Sequence, residues 1–479
     1  MIGIVVSRAD RASEHIGQQL LEIDEWEEHE DADRPDAEGG GTFYRRDGFE
    51  LRTFEDLHIY LGDPTPAFGG SDVDEGESDG GADEADSAID MLVFVSRHSG
   101  ETGALLTAHF TGNFGPAEYG GSDGEMARAA PNAQKQLVER FETHAPERYD
   151  VGIECTHHGP SETAVPSLFA ELGSGDTQWD DVEGARAVAE AVLGLEGEGP
   201  DVVGEEGRPR HVVGFGGGHY VPRFTRIVEE TAWGVGHIGA DWQLDEMGAP
   251  EANRDVLERA FAASAAEYAV VEGDKPDLEA TIADLGYRIV GETWVNEVGE
   301  RPLALVEAVE DAVATVADGL RFGEVVSTVE DAATAREEFV VRELPDDLLA
   351  AAQGIDPEAV REAVAATTVA FETEQAGSRA TGTAAFTADA AWVTLVEELA
   401  SVLRGKYDEV TIREDVVVAR EEAFDPALAA KWGVPEGPKF GRLASGESVD
   451  LDRKTVDPSD VLREQEEHFP LPRSTETAE

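Results

Sequence analysis

A single cysteine, Cys155, in 479 residues excludes an intramolecular disulfide and fits a reducing interior. No segment approaches the roughly 20 consecutive apolar residues of a membrane-spanning helix. The start, Met1-Ile2-Gly3-Ile4-Val5-Val6, lacks the basic region and the length of a signal peptide. A soluble, cytoplasmic protein with no membrane partner is expected. Short catalytic signatures are also missing: there is no CxxC, HExxH, Walker A or EF-hand pattern, which removes several common metal-site and nucleotide-binding motifs. Basic residues are scarce, with 37 Lys and Arg against 102 Asp and Glu, a formal net charge of −65, and only six of the 37 are lysine. An excess of acid often marks disorder or a basic partner. Here the acid is spread along the whole chain between apolar runs, which reads as the surface of a protein that works in molar salt. The Debye length there is about 3 Å, so the charge does not exclude a polyanionic partner. Salt also suppresses electrostatic affinity for nucleic acid, so any RNA contact must rest on stacking and direct hydrogen bonds.

What is present is a 41% hydrophobic chain long enough for two or three domains. Short apolar runs at 2–7, 57–61, 91–96, 105–110, 151–155, 211–215, 268–271 and 287–294 read as strands. Amphipathic stretches at 13–23, 132–144, 181–193, 222–231 and 256–266 read as helices. Alternation of this kind predicts an α/β domain, a mostly parallel sheet flanked by helices. Residues 69–87, acidic and rich in Gly and Ser, read as a solvated insertion loop. From about residue 301 the character changes. Residues 304–320, 357–372 and 390–403 read as helices, with Asp356-Pro357 as cap and first turn. Residues 409–413 and 416–419 read as pairing strands, and 473–479 as a fraying end. The expected organisation is a domain over 1–305 and an α+β extension over 306–479.

Histidine carries the functional signal. Eleven of the twelve lie at or before position 237, and half of the total fall in five short segments. These are Ser96-Arg97-His98-Ser99, His109-Phe110-Thr111-Gly112-Asn113, Glu154-Cys155-Thr156-His157-His158-Gly159-Pro160, Gly216-Gly217-Gly218-His219-Tyr220 and Gly236-His237-Ile238. Most follow predicted strands, where ligands bind in open α/β sheets. Imidazole is the commonest metal ligand and the usual proton carrier near neutral pH. In the turn after Glu154, His157 and His158 are placed to act as metal ligands or general base, with Glu154 as a nearby carboxylate; the alternative is a strand end whose imidazoles cap backbone carbonyls. Cys155, inside an apolar strand, reads as a small buried residue rather than a nucleophile. Thr111 and Asn113 offer a hydroxyl and an amide for a polar substrate edge. The loop Gly216-Gly217-Gly218, between a strand and the helix opened by Pro222, has the layout of an anion-binding turn. Arg97 with His98 suits phosphate contact, and His219 and Tyr220 complete the set.

Taken together with Leu106-Thr107-Ala108, Pro166-Ser167-Leu168-Phe169 and Val221-Pro222-Arg223-Phe224-Thr225, these segments resemble, in order and approximate spacing, the archaeal- and plant-type D-aminoacyl-tRNA deacylases over residues 1 to about 305. The resemblance implies a fold related to phosphorylases and peptidyl-tRNA hydrolases. It implies hydrolysis of the ester joining a D-amino acid, or mischarged glycine, to the 3′ end of tRNA, zinc as cofactor and a monomer, with no DNA partner. On that basis the candidate metal ligands are His109, His157, His158, His219 and His237. The candidate catalytic residues are His157, His158, Glu154, His109, Thr111 and His219, and the candidate substrate contacts are Arg97, His98, Asn113, Gly216, Gly217, Gly218 and Tyr220. Spacing alone does not allocate ligands among the histidines. After Gly236-His237-Ile238 the chain reads Gly239-Ala240-Asp241, where the family pattern leads one to expect a proline and a basic residue. Further on, 432–443 resembles a short stretch of the zinc-dependent tRNA 3′-processing nucleases, without their HxHxDH motif. The rival readings are another metal-dependent hydrolase or a nucleoside phosphorylase on the same fold, or a non-catalytic tRNA-binding protein.

Overall fold

In the computed structural model, which describes residues 1–69, 89–325, 339–451 and 454–472, the run Ile2–Ser7 is a strand buried at every position. That is what a strand covered on both faces requires. Contacts divide the chain into two units, Met1–Glu300 and Arg301–Glu479. The elements of the first sheet and its helices are β1 (Ile2–Ser7), α1 (Arg11–Ile23), β2 (Glu27–Asp31), β3 (Gly41–Arg46), β4 (Phe49–Phe54), β5 (Met91–Arg97), β6 (Leu105–His109), α2 (Pro131–His144), β7 (Asp150–Ile153), β8 (Ser167–Gly173), α3 (Asp176–Trp179) and α4 (Val182–Leu193). Eight strands run in the order β2-β3-β4-β1-β5-β8-β6-β7. The pairs from β4 through β1 and β5 to β8 are parallel, as is β6 with β7, while β8 and β6 meet antiparallel. One face packs on α1, α2 and α4 through Ile16, Leu20, Leu137, Phe141, Val188 and Val192. The other carries Val5, Phe54, Phe94 and Phe169.

A second sheet in the same unit comprises β9 (His211–Phe215), β10 (Gly234–Gly239), β11 (Tyr268–Val271) and β12 (Arg288–Ile289). Its order is β10-β9-β11-β12, all parallel. Helices α5 (Pro222–Glu230), α6 (Asp241–Met247), α7 (Arg254–Ser264), α8 (Pro276–Asp284) and α9 (Glu292–Val298) accompany it. The unit is therefore α/β, with two mostly parallel sheets. The second unit is α+β: a four-stranded antiparallel sheet, a three-stranded sheet and a short hairpin, with helices such as Asp389–Leu403. Strands Glu409–Ile412 and Val416–Phe424 pair as the sequence suggests. Among the described residues no helix is long and apolar enough to cross a membrane.

Local differences from the sequence reading have physical causes. Residues 57–61 form a 3₁₀ turn, His58–Tyr60, because His58 turns inward and donates from Nε2 to the Val5 carbonyl. The hairpin of β3 and β4 turns through Asp47-Gly48, with Gly48 at φ +78, a pairing that favours tight turns. The helix expected over 357–372 stops at Thr367, where the β-branched run Thr367-Thr368-Val369 leads into the strand Ala370–Glu374. The helix expected over 304–320 ends at Ala312, and Leu320–Phe322 is a strand. Residues 287–294 divide into the short β12 and α9, which starts after Gly291. Apart from Gly69, the insertion at 69–87 lies outside the described residues, as does 473–479.

Helix α1 begins two residues before Ser13 because Asp10 is its cap. One Asp10 oxygen accepts from the Ala12 and Ser13 N–H groups, and the other accepts from the Arg97 N–H at 2.9 Å, tying α1 to the end of β5. Asp10→Ala leaves these largely buried donors unpaired and is expected to cost about 2–4 kcal/mol, read from the urea midpoint.

Candidate active site

Sheet register assembles the centre. Ser96 of β5 and Thr107 of β6 are both opposite Glu171 of β8, and in the next row on the same face Phe94 and His109 are opposite Phe169. Ser96 Oγ donates to Glu171 Oε1 at 2.6 Å. The rings of Phe94, Phe169 and His109 stack at 4.8 and 5.1 Å. Beyond β7, the segment from Glu154 to Pro160 is clamped through its backbone. The Glu154 N–H donates to Ala108, that of Cys155 to the His219 carbonyl and that of Thr156 to Ile238. His158 takes a left-handed conformation, φ +47, which folds His157 and His158 back toward His109. Their ring centroids lie 4.3 and 4.9 Å from that of His109.

Three of these rings are oriented alike. His109 Nδ1–H donates to Phe110 O at 3.1 Å, His157 Nδ1–H to Cys155 O at 2.8 Å and His158 Nδ1–H to Gly159 O at 2.7 Å. Each Nε2 is left for something else. Ligand atoms of His109, His157 and His158 lie within 4.8 Å of one another, and two further triads, Glu154–His157–His219 and His98–Glu154–Glu171, meet the same limit. His109 Nε2 and Glu154 Oε1 are buried without an aligned hydrogen-bond partner. Imidazoles fixed through Nδ1 on backbone carbonyls, with ligand atoms gathered beside a carboxylate, are a donor set that fits a metal ion.

The electrostatics follow from burial and pairing. Burial opposes ionisation of Glu154, yet the hydrogen bond from His219 Nε2 to Oε2 at 2.6 Å and His98 Nδ1, 3.1 Å from Oε1, hold it well below the usual carboxylate range. Glu171 is lowered in the same way by His109 and His98, against its own burial. Burial would depress His98, but the two carboxylates override it and raise its pKa to about 10. His98 Nε2 then donates to Tyr220 Oη at 3.2 Å. His109 is also raised: Glu171, with Oε1 3.4 Å from Nε2, outweighs burial. Burial, reinforced by the charge of His109, pushes His157 well below its ordinary value and His158 down to about 4. Those two are neutral, as ligands must be. Cys155 is inert, its thiol pushed far up by burial beside Glu154.

A cavity of about 440 Å³ opens over this cluster. Its wall includes Arg97, His98, Asn113, Glu154, His157, His158 and His219 among the residues expected from sequence. Arg97 stacks its guanidinium over Trp179 at 5.4 Å. Asn113 uses its amide N–H groups to hold the Gly120 and Ser122 carbonyls. His109 lies beneath the cavity at zero exposure, and Tyr220 reaches the cluster through His98.

Three expectations are corrected. His237 is not a free ligand. Its Nε2–H donates to Ala127 O at 2.8 Å and its Nδ1 accepts from Thr156 Oγ1 at 3.0 Å, so both ring nitrogens are committed and burial lowers its pKa to about 4. The loop Gly216-Gly217-Gly218 is not an anion cradle at this cavity. The Gly216 N–H is spent on Gly239 O, and Gly216 and Gly217, at φ +100 and +83, pack against Glu272, whose carboxylate would repel an anion. Thr111 is buried away from the wall, its carbonyl accepting from the Ala127 N–H. Asp241, where a basic residue was expected, pairs with Lys275 at 2.5 Å.

Sequence reasoning missed Glu171, Asp10, His58 and Trp242, all in the cavity wall. Glu171 had a legible signal, a lone carboxylate inside the otherwise apolar strand run SLFAELG. The other three had none, because their neighbours are distant in sequence.

A cavity at strand ends, lined by imidazoles and two ionised buried carboxylates, defines an α/β protein with the equipment of a hydrolytic enzyme. A family model described as D-aminoacyl-tRNA deacylase matches residues 85–290. Among relatives named D-aminoacyl-tRNA deacylase, the protein of Halorubrum lacusprofundi is 60% identical over 100% of this chain and 98% of its own length. That of Natronomonas pharaonis is 53% identical over 98% and 100%, and that of Haloarcula marismortui 47% over 98% and 100%. The chain belongs to the D-aminoacyl-tRNA deacylase family. The crystal structure of a conserved protein of unknown function, 27% identical, covers 63% of this chain and 99% of its own, with a TM-score of 0.52.

The charge cluster sets a pH window for stability. His98 titrates at about 10 in the fold against roughly 6.5 in an unfolded chain. Its contribution is full below the lower value and lost as pH rises through the higher one. Glu154 and Glu171, lowered in the fold, contribute above about 4.5 and lose that contribution in acid. With chelator present, the unfolding free energy read from urea titrations is expected to fall by on the order of a few kcal/mol between neutral pH and pH about 10, and His98→Gln should flatten that alkaline slope.

Proposed function

We propose that the imidazole–carboxylate cluster is the hydrolytic centre of this D-aminoacyl-tRNA deacylase. In this reading, water cleaves the ester between a D-amino acid, or mischarged glycine, and the 3′ end of tRNA, releasing the amino acid and tRNA. The observation that carries it is the convergence of His109, His157 and His158 Nε2, each ring anchored through Nδ1, beside the ionised Glu154. These three histidines would hold zinc. Bound there, zinc would polarise the ester carbonyl and make a neighbouring water more acidic.

The chain's own groups supply the rest. Glu154 is ionised across the working range and accepts the proton of the attacking water, with its Oε2 oriented by His219 Nε2–H. His98 remains an imidazolium between Glu154 and Glu171, a fixed positive charge beneath the reacting ester. An aminoacyl ester is already activated, so positioning and charge stabilisation suffice without a covalent nucleophile. Leu57, Ile59, Phe114 and Trp242 give the cavity an apolar side for the amino-acid side chain, and Arg97 offers a cation to the terminal phosphate. Catalysis is assigned to residues 1–305, acting as a monomer in the cytoplasm, with 306–479 as an accessory region. The acidic surface, with 102 Asp and Glu against 37 Lys and Arg, suits work in molar salt.

The test is release from D-Tyr-tRNA and L-Tyr-tRNA in molar KCl, with zinc or a chelator. D-selective release is expected, abolished by chelation and reduced about 100-fold or more in His157→Ala. Equal release of both esters, or none, refutes the reading. Zinc content separates the histidines: His158→Gln should lose the metal, whereas His237→Asn should keep it while melting earlier. Because His109 is held protonated by Glu171, zinc uptake should release a proton, measured by calorimetry in buffers of different ionisation enthalpy.

A further inference from the structure

Half of the chain's six lysines, Lys431, Lys439 and Lys454, fall within 24 residues, and 431–443 carries Lys431, Lys439 and Arg442 against the single acid Glu436. In a chain of net charge −65 that is a local reversal of sign. The structure gives it a fixed base. Helices Pro426–Lys431, capped by Asp425, and Pro438–Ala444 are joined by a turn in which Gly433 and Gly437 take φ +78 and +120. Together with the hairpin Val449–Leu451 and Lys454–Val456 they close over an apolar cluster of Ala429, Val434, Leu443, Val449, Val456 and Val461. That cluster is separate from the main core of its unit.

On this base Trp432 is 38% exposed, and Lys454 Nζ stands 4.5 Å from its ring centroid. Of the seven tryptophans in the chain, two are exposed, Trp432 and Trp242, and Trp242 lines the catalytic cavity. Lys439 Nζ donates to the Asp450 carbonyl and Arg442 pairs with Glu447, contacts that fix those two cations on the platform. The indole is thus left partly in water beside the Lys454 ammonium group.

We propose that this platform binds an unpaired nucleotide of the substrate tRNA, the Trp432 indole stacking on the base and Lys431 and Lys454 meeting the adjoining phosphates. The proposal rests on the tRNA reading above and adds a contact made by the second unit. It also fits the salt argument. Lysine–phosphate attraction is largely screened in molar salt, whereas stacking on an aromatic ring persists and accepts any base.

The experiment uses the full chain and an uncharged tRNA transcript, with Kd measured by filter binding in dilute and in molar KCl. Trp432→Ala should raise Kd about tenfold in both, and Trp432→Tyr should stay close to the parent. The double variant Lys431→Glu/Lys454→Glu should weaken binding in dilute salt and lose that effect in molar salt. In turnover, Trp432→Ala should raise KM for D-aminoacyl-tRNA with kcat unchanged, and leave hydrolysis of a D-aminoacyl-adenosine ester unaltered. Kd unchanged in both Trp432→Ala and the lysine variant, or an equal loss in Trp432→Tyr and Trp432→Ala, overturns the proposal. Should no D-ester be hydrolysed while Trp432→Ala still weakens tRNA binding, the catalytic reading falls and this contact stands.

Discussion

Two carboxylates, Glu154 and Glu171, are buried at 1% and 4% exposure and kept ionised, and much of the first unit is arranged to make that possible. Taking a charge out of water costs several kcal/mol unless it is paired and hydrogen-bonded. His98 meets both carboxylates at once, at 3.1 and 3.5 Å. Its place is guarded by Gly173, where a Cβ would lie 2.5 Å from the Cβ of His98. Ser96 and His109 serve Glu171, and His219 serves Glu154. With His157 and His158 held neutral, the positive charge that faces the two carboxylates comes from His98 and His109, both raised by them. A divalent cation that displaced the His109 proton would keep the two carboxylates paired with positive charge.

The pairing depends on one irregularity of topology. In a wholly parallel sheet the carboxyl ends of all strands would open on one side. Here β8 meets β6 antiparallel, so β5 and β6 run in opposite directions on either side of the strand that carries Glu171. Their functional residues overlap across β8 instead of lining one edge: Ser96 stands beside Glu171, and His109 beside Phe169. Because β6 and β7 are parallel, Glu154 arrives at the level of His109. The second sheet then closes the arrangement through backbone bonds from Cys155 and Thr156 to His219 and Ile238. A one-residue slip in β8 would turn Glu171 to the face covered by α2 and α4.

Strand and helix positions were largely legible in the sequence, because apolar runs and caps act locally; strand direction was not, and neither was Glu171 as the partner of His98 and His109. Most of the histidine-bearing segments meet at one cavity, yet residue type alone does not say whether a ring is free. His157 and His237 look alike in sequence. One has only Nδ1 committed, to the Cys155 carbonyl, and the other is closed at both nitrogens by Thr156 and Ala127. The glycine run was overread for a related reason. Strand, glycines and helix suggest a phosphate site, but Glu272, more than fifty residues further along, packs against the loop and gives it a structural task.

The acidic composition and the buried cluster belong to one electrostatic design. Surface ion pairs such as Arg148 with Asp181 and Glu183, or Arg420 with Glu466, lie where ions reach them. In strong salt such pairs contribute little. Salt enters a dry interior far less, so the interactions of His98 with Glu154 and Glu171 keep their strength at ionic strengths that silence the surface. The buried cluster is thereby insulated from the ions that reach the surface. In strong salt a contact with a polyanion at the surface leans on shape and stacking, whereas a buried charge pair keeps its strength where water and ions are excluded.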